Sequence, residues 1–236
     1  MKKAMLIISA LALSPLASCQ DKAATPEAAA KNVKASLDRD LAAAALRFGD
    51  PVFIRAFKEE RELELFIRNR ATRKFDLFRT YKVAAASGTL GPKLAEGDGQ
   101  VPEGFYFVPA SMMNPNSRFH LAFNIGYPNA FDRAHQRSGS AIMVHGNSVS
   151  IGCLAMTDEK IEEIYTLCDA AHKGGQKFFR VHLFPFRMTE ARMLRATGTK
   201  WEDFWKSLRK GYDLFEKTRV PPEVNVENGS YSFPGE

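Results

Sequence analysis

The stretch AIMVHGNSVSIGCLAM, residues 141–156, carries the pattern on which the reading of this chain turns. An apolar strand from Ala141 to Val144 delivers His145, a turn of small residues follows, and Cys153 comes just before a helix signal at Thr157. A cysteine near a helix N-terminus feels the positive end of the peptide dipole, and a nearby imidazole can take its proton. Cys153 is therefore the candidate nucleophile, and His145 the candidate general base and then acid. Gly152 has no side chain to obstruct a substrate, so its amide and that of Cys153 are candidate donors to an oxyanion. Ser150, through its carbonyl or hydroxyl, is the candidate that orients His145 by accepting from its other ring nitrogen. Residue types alone leave a second reading open, in which Cys153 and Cys168 form a disulfide or are buried thiols and His145 is a satisfied core histidine.

Outward from this segment, the hydrophobic period is two over much of the chain. Leu63, Leu65 and Ile67 alternate with Glu64, Phe66 and Arg68, and Phe75 and Leu77 alternate with Asp76 and Phe78, with a hairpin through Asn69 and Arg70. Further strands are predicted at 52–58, 80–86, 104–108, 119–125, 141–145 and 178–184. Their Pro/Gly-punctuated spacing predicts an α+β chain with a β-rich sandwich or barrel-like core, not alternating β-α units. Helices are predicted from Thr157 to Gly174, with Ile161, Ile164, Tyr165 and Cys168 on one face, and over 189–217, where Trp201, Trp205, Leu208, Tyr212 and Phe215 recur at helical spacing. The tail from Pro221 is loop-like, with one short strand at 230–233.

At the N-terminus, Met1-Lys2-Lys3 precedes an apolar run too short to span a bilayer, which reads as a secretory signal over residues 1–18. Leu16-Ala17-Ser18-Cys19 resembles a bacterial lipobox, which makes Cys19 the lipidation site and the N-terminal lipid the membrane attachment. No aspartate directly follows Cys19, which points the sorting toward the outer membrane, with the protein facing the periplasm. Residues 19–50 read as a tether and amphipathic helix carrying Val33, Leu37 and Leu41, residues 51–188 as the catalytic domain, and residues 189–236 as a helical extension and tail. The full-length charge of +6 becomes +4 once Lys2 and Lys3 leave with the signal. That mild excess suits an anionic wall polymer. No basic run interleaved with aromatics marks a nucleic-acid binder.

Five separated blocks accompany the central motif: SGTLGPK (87–93), GDGQVPEGFY (97–106), NPNS (114–117), GYPNAFDRAH (126–135) and FPFRM (184–188). Together with the strand-borne His145-Gly146 and the Ser150-x-Gly152-Cys153 loop, they resemble the YkuD family of L,D-transpeptidase catalytic domains. Within it the match is to a periplasmic, YafK-like branch that includes an amidase detaching a lipoprotein from peptidoglycan. The resemblance implies a β-rich core with flanking helices and no metal or organic cofactor. It also implies attack by Cys153 on the diaminopimelate carbonyl of a peptidoglycan stem peptide, through a thioester, and a peptidoglycan-linked lipoprotein as a candidate partner. The His-to-Cys interval is short, Ile151 stands where many members have histidine, and Ala155 where many have arginine, so amine and water both stay open as acyl acceptors.

Candidate substrate contacts are Gly146 beside the histidine, Arg133, His135 and Arg137 in a polar loop before the catalytic strand, and Lys93 and Asp98 in a glycine-containing loop. That loop lacks the spacing of a phosphate-binding motif. His120, His172 and His182 are read as structural. The non-enzymatic alternative is a lipoprotein whose cleft only holds stem peptides.

Overall fold

The computed structural model describes residues 25–234, so the signal and Cys19 lie outside the described residues. Strand β1 (Val52–Phe57) is buried along its whole length, because both faces of its sheet are covered. It pairs antiparallel with β2 (Glu62–Arg68) and parallel with β9 (Phe178–Phe184). With β3 (Phe75–Lys82) and β4 (Gly104–Pro109) these form a five-stranded sheet in the order β3-β2-β1-β9-β4. A second sheet, in the order β5-β6-β7-β8, contains β5 (Met113–Asn114), β6 (Ala122–Asn124), β7 (Met143–His145) and β8 (Leu154–Ala155).

Alternation along β1 divides the core in two. Val52, Ile54 and Ala56 join the cluster shared with the second sheet and with two helices, α1 (Pro26–Ala43) and α3 (Asp158–Lys173). Phe53, Arg55 and Phe57 face the other way, toward α5 (Glu202–Thr218), whose Trp205, Leu208, Tyr212 and Phe215 are buried. Residues beyond 188 therefore complete the core on one whole face of the large sheet. Burying one such aromatic contributes about 1.5–3 kcal/mol. Arg55, 5% exposed, is tolerated on this face because Glu64 meets its Nε at 2.5 Å and Glu216 its Nη1 at 2.5 Å.

Several expectations shift at element ends. The region 189–217 is two helices, α4 (Glu190–Leu194) and α5, separated by Gly198 with φ 80°. Thr157 precedes α3, but its φ is 74° and its side chain makes no capping bond. The strands expected at 119–125 and 141–145 shorten to β6 and β7, and the two runs expected at 75–78 and 80–86 merge into the single strand β3, which ends at Lys82. Pairing not legible as a hydrophobic period appears in β5, in β8 and in β10 (Asn225–Glu227), which pairs with β11 (Ser230–Ser232), the short strand expected at 230–233. The polar loop expected at 133–137 begins inside helix α2 (Ala130–Ala134), opened by a capping box between Asn129 and Asp132.

One buried carboxylate positions the loop that approaches Cys153. Glu103, fully buried, accepts from the Gly91 amide at 2.7 Å and from the Trp205 indole at 2.7 Å, and pairs with Lys58 at 3.0 Å. Lys58 also donates to the carbonyls of Gly91 and Val101. Burial lowers the Lys58 pKa and the Glu103 charge opposes that shift. Removing the anion strands a buried ammonium, so Glu103→Gln is expected to cost about 3–5 kcal/mol in urea unfolding. A loss below about 1 kcal/mol, on the scale of an exposed pair, contradicts this account.

Candidate active site

His145 ends β7, between β6 and β8, with Ala122 opposite on one side and Ala155 on the other. It is buried, and its ring lies 4.9 Å from that of Phe119. Nδ1 meets the Gly146 carbonyl at 2.6 Å. A carbonyl only accepts, so Nδ1 carries the proton and Nε2 keeps its lone pair for a substrate or thiol proton. Burial lowers the His145 pKa, with the Gly146 bond working against it, so the ring is neutral at pH 7.

The turn after His145 admits only glycine at 146. A Cβ there would lie 2.6 Å from Asp158 Oδ1, 2.8 Å from His120 Cβ and 2.9 Å from the Phe119 carbonyl. Asn147, in the left-handed region at φ 64°, donates its amide to Asp158 Oδ1 at 2.6 Å, which ties the turn to the start of α3. Gly146 is thus enclosed by protein and orients the histidine through its carbonyl, in place of the substrate contact expected for it.

Cys153 comes one residue before β8, which pairs parallel with β7. Its Sγ accepts from the Met143 amide at 3.4 Å and lies 3.7 Å from the Ala141 carbonyl, an acceptor for the S–H. The sulfur and the imidazole thus approach β7 two residues apart, and among the described residues no hydrogen bond joins them. Cys153 is partly exposed and unbridged, and Cys168 is a buried thiol on α3, so the disulfide reading is excluded. Ala141 holds φ 51°, a strained value of the kind that functional sites retain.

The thiol differs electrostatically from the sequence-based expectation. Leu154 to Thr157 separate Cys153 from the first residue of α3, beyond the last turn over which a helix dipole acts. Burial raises the Cys153 pKa, while the Met143 amide and the Lys93 charge lower it by less. At neutral pH the site therefore holds a thiol and a neutral imidazole.

The loop before Cys153 is closed on itself. Ser150 Oγ donates to the Cys153 carbonyl at 2.7 Å and accepts from the Cys153 amide at 3.1 Å, so Ser150 shapes the nucleophile loop and does not touch His145. The Gly152 amide donates to Ser87 Oγ at 2.7 Å, and Ser87 donates in turn to the Gly99 carbonyl at 2.6 Å. Both amides expected to be open oxyanion donors are thus occupied by serine hydroxyls. Ser87 had a sequence signal, as the first residue of the SGTLGPK block, but nothing local assigned it to Gly152, which is 65 positions away.

The remaining candidates divide sharply. Lys93, 3% exposed, pairs with Asp98 at 2.7 Å and donates to the Ala95 carbonyl. Asp98 also accepts the amides of Leu94, Ala95 and Gln100, and despite some desolvation the Lys93 bond and these amides bring its pKa down to about 2. The pair folds the loop beside the cysteine and leaves Lys93 no free surface, so its effect on the site is its charge. Arg137 is buried against Asp132 and the rings of Phe131 and Phe204, His135 bonds the Phe131 carbonyl and stacks on that ring, and Arg133 bonds the Pro128 carbonyl. These three build α2 and its packing and do not converge on Cys153. His120 pairs with Glu162 at 2.9 Å, and His172 bonds the Gln176 carbonyl. Among the described residues no cluster of His, Cys, Asp and Glu could hold a metal ion.

The two-sheet α+β core brings a strand-borne histidine and a loop cysteine to the same strand, β7. Residues 51–205 match the L,D-transpeptidase catalytic domain named YkuD, and the chain belongs to that family. It is similar to YafK of Escherichia coli K12, classed by name among the L,D-transpeptidases, with 48% identity over 183 residues, 78% of this chain and 74% of the relative. The YafK of strain O157:H7 matches equally. Among solved structures, the helical cell shape determining protein Pgp2 of Campylobacter jejuni aligns over 77% of this chain and 75% of its own, at 17% identity and TM-score 0.46.

The raised thiol pKa has a direct readout. The alkylation rate of Cys153 by iodoacetamide, followed by mass spectrometry across pH, is expected to rise with a midpoint above that of an unperturbed cysteine, because only the thiolate reacts. A midpoint in the acidic range would mean a preformed thiolate-imidazolium pair and would overturn the assignment of a neutral resting site.

Proposed function

We propose that this protein is a peptidoglycan-active cysteine enzyme, with Cys153 as nucleophile and His145 as general base and then acid. The observation that carries the reading is the His145-Gly146 bond, which leaves Nε2 unprotonated on the same strand whose Met143 amide, two residues earlier, meets the sulfur. Family membership supports the reaction class, and the relatives' name supports the stem-peptide substrate.

In this mechanism Nε2 takes the thiol proton as sulfur adds to the diaminopimelate carbonyl of a wall stem peptide. The resulting oxyanion needs donors, and the Gly152 and Cys153 amides meet that need once the substrate oxygen displaces the hydroxyls of Ser87 and Ser150. Collapse breaks the C–N bond, the imidazolium returns its proton to the leaving amine, and a thioester on Cys153 remains. An amine completes transfer or water completes hydrolysis, and a peptidoglycan-linked lipoprotein is a natural source of the scissile amide. Export, lipidation at Cys19 and a periplasmic station at the outer membrane complete the proposal, and a mild positive charge suits an anionic wall.

The test is incubation with diaminopimelate-containing muropeptides and with sacculi carrying a linked lipoprotein, read by mass spectrometry. Cys153→Ala is expected to abolish turnover and the thioester mass, and His145→Ala to lower the rate by about 10²–10⁴-fold, the usual contribution of a positioned base. New cross-links would assign transfer, and trimmed peptides or released lipoprotein would assign hydrolysis. Turnover by Cys153→Ala at the parent rate would reject the enzyme, and sacculus binding without any product would favour a non-catalytic wall-binding protein.

A further inference from the structure

One end of the five-stranded sheet carries a group of cations that the proposed chemistry does not use. Arg68 pairs there with Phe75 across β2 and β3, and Arg180 with Phe53 across β9 and β1. The Cys153 loop is anchored beyond the opposite end, where the chain leaving β3 at Lys82 bonds the Ala155 carbonyl through the Ala84 amide. A cavity of about 380 Å³ opens at the near end, lined by Arg68, Arg73, Gln176 and Arg180 with an apolar floor that includes Phe75 and Val220. Among the described residues no acidic side chain lines it.

The three guanidiniums are unmet. Arg68, Arg73 and Arg180 form no ion pair among the described residues, and the one hydrogen bond that their guanidiniums make there runs from Arg68 Nε to the Arg73 carbonyl at 3.4 Å. Gln176 is spent on the backbone of Val52, from which it accepts and to which it donates at 2.9 Å. The nearby acids are placed elsewhere. Asp50, in an adjoining recess, pairs with Arg70 at 2.7 Å, and Glu223, in a second adjoining cavity, acts on Arg180 only from beyond ion-pair distance. The half-buried Arg180 guanidinium lies over the Phe178 ring at 5.2 Å. His182, two residues along β9, is 1% exposed, without a hydrogen-bond partner and sealed by the rings of Phe53 and Phe105, so it takes no part.

A guanidinium has no proton to shed at any physiological pH, so three of them around one cavity repel until an anion enters. We propose that this cavity binds a phosphate ester, its phosphoryl group held by Arg68, Arg73 and Arg180. A phosphate monoester carries close to two negative charges at neutral pH and three terminal oxygens, one for each guanidinium. A carboxylate brings a single charge and two oxygens, which leaves part of the cluster unmet. The cavity volume falls within the range of small-ligand sites, and its apolar floor faces the organic part of the ester. A soluble phosphate ester and a phospholipid headgroup present the same phosphoryl chemistry. The proposal does not rest on the reaction at Cys153.

Inorganic phosphate and acetate, titrated into the full chain at constant ionic strength, isolate the phosphoryl group from bulk charge. The side-chain Nε–H resonances of Arg68, Arg73 and Arg180 are expected to shift and saturate with phosphate, and acetate to bind about tenfold or more weakly, the usual worth of a bond to a charged group. Arg68→Gln combined with Arg73→Gln is expected to abolish saturation, whereas Arg195→Gln, an exposed arginine outside the cavity lining, keeps the parent affinity. No saturation by phosphate, acetate binding as tightly, unchanged affinity in the double variant or an equal loss in Arg195→Gln would overturn the proposal. Should the double variant not fold, Arg73→Gln alone, on an exposed turn, and the phosphate-acetate comparison on the parent chain decide. Vesicles of phosphatidylcholine with and without phosphatidate identify the source. Phosphatidate-dependent binding that inorganic phosphate displaces supports the proposal with a lipid headgroup as ligand, and phosphate binding without vesicle binding supports it with a soluble ester. Because no turnover is read, a negative result leaves the Cys153 chemistry untouched, and a failed muropeptide assay leaves the cavity untouched.

Discussion

The Glu103 carboxylate is the constraint on which the site's architecture depends. A fully buried anion must be met by donors, and the three that meet it come from distant parts of the chain: Lys58 after β1, the Gly91 amide in the loop before β4, and Trp205 on α5. Satisfying one charge thus clamps the 88–103 loop between the large sheet and the C-terminal helix. The same loop carries Gly99, whose carbonyl holds Ser87, and Asp98, whose carboxylate fastens Lys93 near the sulfur. The C-terminal residues are in this sense part of the machinery that places the cysteine loop.

Electrostatically the site is held at rest. Burial acts in opposite senses on its two titrating groups, raising the thiol and lowering the imidazole, so each keeps its neutral form at pH 7. The hydroxyls of Ser87 and Ser150 complete this closed state by occupying the two amides best placed to receive negative charge. On the proposed mechanism, activation depends on a substrate that brings its own carbonyl oxygen into the loop. Such a site spares an exposed thiol from indiscriminate oxidation, since the thiolate is the reactive form.

Much of this was legible in the residues. The hairpin through Asn69 and Arg70, the strands at 52–58, 104–108 and 178–184, and the apolar face of α3 all follow from hydrophobic period, because one buried face imposes that period on any sequence. The His145-Gly146 and Ser150-x-Gly152-Cys153 spacing, with the ordered blocks around it, was enough to indicate the family. Shorter elements escaped: β5 and β8 are two residues each, and so short a run has no period to detect.

By itself, then, the amino-acid order determined the strand and helix content, the family, and the candidate cysteine and histidine, since these depend on local pattern and residue type. Only the tertiary structure decided what surrounds them. It assigned the imidazole's orientation to the Gly146 carbonyl, gave Ser150 and Ser87 to the nucleophile loop, and removed Arg133, His135 and Arg137 to the support of α2. It also left His182 buried beside Arg180 without a partner. Each of these is a matter of hydrogen-bond direction and burial between groups brought together by folding, and neither quantity is encoded in the spacing of residues along a chain.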